Sequence, residues 1–453
     1  MSPLLRAKHT TACTISHLMI IAVAFALLPP AQAQTLTVIH SFSGSDGANP
    51  VAGLSIDAKG RLYGTTQSGG HQSDSCMQGG CGTVFRLTNQ GGGWILNSLH
   101  DFNGPNDGST PMARPVFAPN GLLYGTTDAG GAQFCEGPGC GTAYSLRPGA
   151  TACTTALCAW QESIVYSFGG IEAICGGFGD WSASQIHQPQ APGDVVIGSC
   201  PSFGDLTFDS QGNIYGTVPC CHGAVYELSP AGTPTALYYF TGGADGDDPL
   251  SGVIFDQAGN LYGTTNGGGA HGCGTVYELS PNGGGWTETV LYSFQCGTDG
   301  QNPIGGLIMD SASNLYGTTN FGGANSGGTV FELSPSGGGS WTFQLLYSLA
   351  YDGTFDFVIY GPTGTLTMDA SGSLYGTTFM DGAYSAGSVF KLTPQNGSWS
   401  YTSLHDFTAG FDGSNPFGNV VMDANGNVYG TAGQGGGNEC NGLSCGDVWE
   451  ITP

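Results

Sequence analysis

Residues 314–335 read NLYGTTNFGGANSGGTVFELSP. Two short segments, Asn314–Thr319 and Thr329–Leu333, flank a glycine loop, and the second alternates with period two, as a half-buried strand does. Upstream, Gly306–Asp310 is short and apolar, and a D-x-x-x-N turn joins it to Asn314. Downstream, Ser334–Gly339 is turn chemistry and Trp341–Leu349 is a further strand. The stretch therefore predicts one unit of four strands joined by tight connections.

The five-residue core of that unit recurs seven times, as Leu62–Thr66, Leu123–Thr127, Ile214–Val218, Leu261–Thr265, Leu315–Thr319, Leu374–Thr378 and Val428–Ala432. Its glycines, at 64, 125, 216, 263, 317, 376 and 430, are 61, 91, 47, 54, 59 and 54 residues apart, so one unit carries an insertion, residues 169–201. Seven four-stranded units predict an all-β chain folded as a seven-bladed β-propeller. The last unit supplies only three strands, Gly418–Asp423, Asn427–Ala432 and Asp447–Thr452. Thr35–Phe42 resembles a fourth strand and has nothing else to pair with. Closure by this segment beside residues 447–452 would hide both sheet edges, which an open solenoid would leave exposed.

The first 33 residues are expected to be a secretory signal. Arg6 and Lys8 precede an apolar run, and Ala31-Gln32-Ala33 fits a cleavage pattern. Residues 34–453 then form the propeller domain, and no segment of them is apolar and long enough to span a membrane. Eight Lys and Arg stand against 33 Asp and Glu, for a net charge of −25, which disfavours nucleic acid and anionic membrane surfaces. Fifteen Cys in an exported chain favour disulfides. The expected pairs are Cys76–Cys81, Cys135–Cys140, Cys153–Cys158, Cys440–Cys445 and Cys273–Cys296. The pairing of Cys175, Cys200, Cys220 and Cys221 stays open.

The recurring N-L-Y-G-T-T, G-G-T-V-F-E-L-S-P and L-Y-S-F…D-G-x-x-P strings resemble the GloVer-type tandem repeat of secreted bacterial proteins, over nearly all of the chain after residue 33. The resemblance implies an exported protein and brings no activity with it. That family occurs with C-terminal anchors, and none follows Pro453, so the expectation is a secreted or periplasmic monomer.

Strand alternation puts the D-G-x-x-P loops and the glycine or Cys loops on one face, where propellers bind ligands. The repeated carboxylates are Asp46, Asp107, Asp245, Asp299 and Asp412, with Asp352 in a partial copy. They read as a ring that attracts Ca²⁺ or hydroxyl-rich ligands, or as turn residues bonding their own loops beside positive-φ glycines. Repetition favours the second reading, because a fold needs the same turn in each blade and an active site does not. Asp245, Asp247 and Asp248 form the best cation candidate. Asp57, Asp209, Asp256, Asp310, Asp369 and Asp423 read as turn residues of the opposite face, and His40, His100 and His405 as packing residues. A metal site from His71, His222 and His271 is conceivable, although their units are not all adjacent.

Function is expected where the repeats differ. The 169–201 insertion holds Glu172, Asp180, Trp181 and His187, and its Trp reads equally as a sugar-stacking platform or as the small core of the loop itself. Residues 351–360 form a second modified loop. No G-x-S-x-G, H-E-x-x-H or phosphate-binding glycine pattern is present. The expected function is a non-enzymatic binding or scaffold protein for a glycan or a protein, without a cofactor unless Ca²⁺. The alternative is a carbohydrate-active hydrolase or lyase using carboxylates of the insertion, which would require two of them facing one cleft.

Overall fold

Strands stack outward from a central axis in seven sheets of four. In blade 1 they are Ser55–Ile56, Leu62–Thr66, Thr83–Asn89 and Trp94–Asp101. Blades 2 to 6 repeat this order around the cores at Leu123–Thr127, Ile214–Val218, Leu261–Thr265, Leu315–Thr319 and Leu374–Thr378. The computed structural model describes residues 34–71, 76, 79–131, 139–149, 160–169, 204–219, 222–350, 361–437, 439–440 and 443–453. The insertion with Trp181 and His187, residues 351–360 with Asp352, and Cys135, Cys153, Cys158, Cys175, Cys200, Cys220 and Cys221 lie outside these residues.

Blade 7 is ordered Val421–Met422, Val428–Ala432, Asp447–Thr452 and Thr35–Ser41, so the first strand of the chain closes the last blade. The Phe42 amide extends the junction by donating to the Gly446 carbonyl at 3.1 Å. The architecture is the seven-bladed propeller expected from the repeats, and residues Leu36–Thr452 form one unit.

The repeat core is buried on both faces in nearly every blade, as in Leu62–Thr66. Its glycine is explained by the third strand. Gly64 pairs with Phe85, Gly216 with Tyr226, Gly317 with Phe331 and Gly430 with Trp449. The partner's ring lies across the glycine: a Cβ on Gly317 would sit 2.6 Å from Cζ of Phe331, and one on Gly216 would sit 2.5 Å from the Tyr226 hydroxyl. The close approach is made by an aromatic side chain and not by backbone. In blades 1 to 6 the pairing of third and fourth strands shifts register at this aromatic, a bulge that adds twist.

The core is distributed between blades. Seven apolar clusters each join side chains of two neighbouring blades, such as Tyr262 and Val276 with Leu315 and Phe331. The first threonine of the repeat core adds a polar tie. In blades 1, 3, 4, 6 and 7 its hydroxyl donates to the backbone of the next blade, as from Thr217 to Ser251 at 2.8 Å, Thr377 to Gly418 at 2.9 Å and Thr431 to Ala52 at 2.9 Å. The last of these joins blade 7 to blade 1 across the closure.

Disulfides join Cys76 to Cys81, Cys273 to Cys296 and Cys440 to Cys445, with Cα separations of 5.2, 5.4 and 5.2 Å. Cys140 is also disulfide-bonded. Among the described residues no helix is long and apolar enough to cross a membrane.

Candidate functional site

The hairpins between first and second strands use their aspartates locally. Asp310 accepts from the amides of Ala312 and Asn314 through one oxygen, and from the Asn314 amide group and the Tyr316 hydroxyl through the other. Asp209, Asp256 and Asp423 repeat this set, and Asp57 and Asp369 vary it. Side chains that close a turn in this way are structural.

On the opposite face the D-G-x-x-P loops interlock with the second-to-third loops. Backbone bridges pair Ala48 with Ser68, Ser109 with Ala129, Asp247 with Gly267, Gln301 with Phe321 and Ser414 with Gln434. The two loop sets share a face, as strand alternation requires. The carboxylates of the D-G loops are held inside them. Asp46 accepts from the Ser43 amide and hydroxyl at 2.8 Å each and contacts His40 at 3.0 Å. Asp299 accepts from the Tyr292 hydroxyl and the Gln295 amide. Asp245 bonds Tyr238 and Thr241, Asp412 bonds His405 and Thr408, and Asp107 accepts from the Asn103 amide and lies 3.3 Å from His100. Burial opposes ionisation of Asp46, Asp107 and Asp412, yet hydrogen bonds outweigh it and hold all three below the usual carboxylate range. His40, His100 and His405 pack edge-on to Phe42, Phe102 and Phe407, as expected, and also anchor these aspartates.

Asp247 contacts His222 at 2.9 Å, while Asp248 is pushed up by burial and by Asp247. Asp245, Asp247 and Asp248 thus have separate surroundings. Among the described residues no group of three or more His, Cys, Asp or Glu is arranged to hold a metal ion.

The residue before each loop proline has a left-handed backbone: φ is 56° at Asn49, 58° at Thr110, 54° at Asp248, 55° at Asn302 and 56° at Asn415. Asn tolerates this region better than most residues. Its side chain clamps the preceding blade: Asn49 donates to the Gly433 carbonyl at 3.0 Å, Asn302 to Asn266 at 2.9 Å and Asn415 to Phe379 at 3.3 Å. Where the loops of blades 6, 7, 1 and 2 meet, beside the inner strands, these positions border a cavity of about 190 Å³. Asn49, Gln67, Asn415 and Gln434 supply amide groups; Val51, Met112, Phe379 and Phe417 supply apolar surface, and Gly433 completes the wall. Phe379 and Phe417 meet edge-on at 5.9 Å. No lining residue is charged. Two exposed aromatics stand on the same loops of blades 6 and 7: Phe411, 82% exposed, precedes Asp412, and Tyr384, 62% exposed, follows the core of blade 6.

None of the cavity residues was anticipated from the sequence. The signal was present in register: they occupy the one or two positions after the repeat core and the positions flanking the loop proline, where the units differ around one axis.

The Gloeobacter/Verrucomicrobia repeat profile matches residues 23–171 and 202–444. No curated protein matches the chain. The GH74 xyloglucanase from Xanthomonas campestris is similar in structure, with a TM-score of 0.52 at 13% identity over 92% of this chain and 53% of that one. The extracellular domain of a candidate one-component system from B. thetaiotaomicron has a TM-score of 0.49 at 11% identity over 91% of this chain and 40% of its own. The chain therefore spans about half or less of the length of these two proteins, and at such identities the likeness to the xyloglucanase shows the fold alone.

Proposed function

The chain belongs to the Gloeobacter/Verrucomicrobia repeat family, and we propose that it is a secreted, non-enzymatic propeller that binds a neutral glycan on its loop face. The observation that carries the proposal is the uncharged cavity where the loops of blades 6, 7, 1 and 2 meet. In a chain with a net charge of −25, this cavity presents four amide side chains beside aromatic and aliphatic surface. Amides both donate and accept toward hydroxyl groups, and aromatic faces take the apolar face of a sugar ring. Phe411 and Tyr384 extend that surface outward. The D-G carboxylates, already bonded within their loops, then position Asn49 and Asn415 and leave ligand contact to the amides. The disulfides support an extracellular setting.

An array of neutral glycans, probed with the whole chain with and without Ca²⁺, tests this. Binding is expected for a neutral oligosaccharide, lost by tenfold or more in Phe417→Ala and reduced in Gln67→Ala, as expected for an anchor that carries about 1.4 kcal/mol or more. Absence of binding to any neutral glycan overturns the reading. Dependence on Ca²⁺, with a rise in melting temperature on its addition, would move the site to the Asp245–Asp248 loop.

A further inference from the structure

Five blades share a buried hydroxyl pair joining the second core threonine to the first residue of the third strand. These are Thr66–Thr83, Thr127–Thr142 and Thr265–Thr275 at 2.9 Å, and Thr319–Thr329 and Thr378–Ser388 at 2.8 Å. Blade 3 replaces the pair with Val218 and Ala224. Blade 7 breaks it asymmetrically, with Ala432 opposite Asp447. The Asp447 side chain is fully buried, and among the described residues neither of its oxygens has a hydrogen-bond partner. A buried carboxyl without partners is costly when charged.

The carboxyl faces the loop between blades 6 and 7. A Cβ built on Gly413 would stand 2.9 and 3.0 Å from its two oxygens, and one on Gly436 would stand 3.6 Å from the nearer. The charged group coupled to it is Asp412, which His405 and Thr408 hold in place. The inner strand Val428–Ala432 presents no ionisable side chain, the loop after it carries one acidic residue, Glu439, Glu450 of its own strand bonds Tyr429, and His40 of the closing strand bonds Asp46. No cation faces Asp447 among the described residues. Related arrangements occur in blades 2 and 4, where one oxygen each of Glu162 and Glu288 is buried without a partner near Asp107 and Asp245, at a position that is Leu96, Phe343 or Tyr401 in blades 1, 5 and 6.

We propose that Asp447 is a proton-operated latch on the loop between blades 6 and 7. Protonated, it fits under Gly413 as a neutral group. Ionised, it repels Asp412 and displaces the loop whose Asn415 and Phe417 line the cavity, so that ligand is held in acid and released in base. This regulation rests on the binding site proposed above. Burial, and secondarily Asp412, push the Asp447 pKa up to about 8 from 3.8. Because the folded value exceeds the unfolded one, the stabilisation is fully present below about pH 4 and is lost as pH rises toward 8.

The test compares the whole chain with Asp447→Asn and with the double variant Ala432→Thr/Asp447→Thr, which restores the hydroxyl pair of the sibling blades. Melting temperature is read from pH 5 to 9, and affinity for the array-selected glycan at pH 6 and 9. The native chain is expected to lose melting temperature more steeply with pH than either variant. Its affinity should fall about tenfold at pH 9, one unit above the Asp447 pKa, while the double variant keeps its affinity. Parallel melting curves for the native chain and both variants overturn the latch. Diverging curves with pH-independent affinity overturn the loop displacement. If no glycan binds at any pH, the binding reading fails while the melting curves still decide whether Asp447 acts as a proton latch.

Discussion

A single atom decides the identity of the core glycine. Because the Phe331 ring lies across Gly317, Gly317→Ala must move that ring or the strand, as overpacking in a close-packed interior does. The expected loss is about 1–3 kcal/mol in chemical denaturation. Coupling with Phe331→Leu in a double-mutant cycle should recover part of it. Asp369 gives a second residue-level expectation. Burial opposes its ionisation, but hydrogen bonds from Ser371, Ser373 and Tyr375 win and lower its pKa to about 2. A depressed folded pKa stabilises above the unfolded value of 3.8 and loses that contribution as pH falls toward 2. Asp369→Asn should therefore cost about 1–2 kcal/mol at pH 7, and the cost should vanish in melts near pH 2. The turn role of these aspartates was legible because donor and acceptor lie within six residues. The role of the core glycines was not, since the covering aromatic follows them by 10 residues in blade 3, 14 in blade 5 and 21 in blade 1. The loop between them varies in length, so no fixed spacing marks the pair.

At the scale of the element, the D-G-x-x-P loop combines three devices: an aspartate that gathers its own loop, a glycine at positive φ, and a left-handed residue that clamps the previous blade. Gly47, at φ 125°, has the Thr66 methyl 2.6 Å from the position a Cβ would take. Asn302 separates two contributions that are usually merged. Asn302→Gly keeps the left-handed backbone and loses only the bond to the Asn266 carbonyl, whereas Asn302→Ala loses both. The alanine variant should be the less stable of the two by about 1 kcal/mol; equal melting points would mean that backbone strain contributes nothing there. The existence of these loops and the face they share follow from alternating strands and were legible in the sequence. The cavity was not. It is assembled from residues of the loops of four blades, brought together only when blade 7 meets blade 1, and each looks in isolation like an ordinary polar or apolar loop residue.

Closure is where the whole molecule is most exposed to a single cut. The strand Thr35–Ser41 and the adjoining Phe42 feed two of the seven inter-blade clusters: Ile39 and Phe42 pack between blades 7 and 1, and Leu36 packs between blades 6 and 7. Burial of a large apolar side chain contributes about 1.5–3 kcal/mol, so removing all three approaches the total stability of an ordinary domain, about 5–15 kcal/mol. Removal also opens the edge of Asp447–Thr452, which then offers unpaired backbone groups to any other strand. A chain lacking residues 34–42 is therefore expected to melt far below the intact protein and to form oligomers on size-exclusion chromatography. Adding a peptide of residues 35–42 should restore both the elution volume and the melting point of the intact protein, in proportion to occupancy of the vacant edge. A control peptide with Ile39 and Phe42 replaced by Ser keeps the backbone donors and should fail, because the cluster between blades 7 and 1 is filled by these side chains. If the control rescues as well, backbone pairing alone closes the ring and the apolar seam is secondary. If the truncated chain melts like the intact one, the ring is held by the clusters that this strand does not feed, and its closing strand serves the loop face instead of the fold.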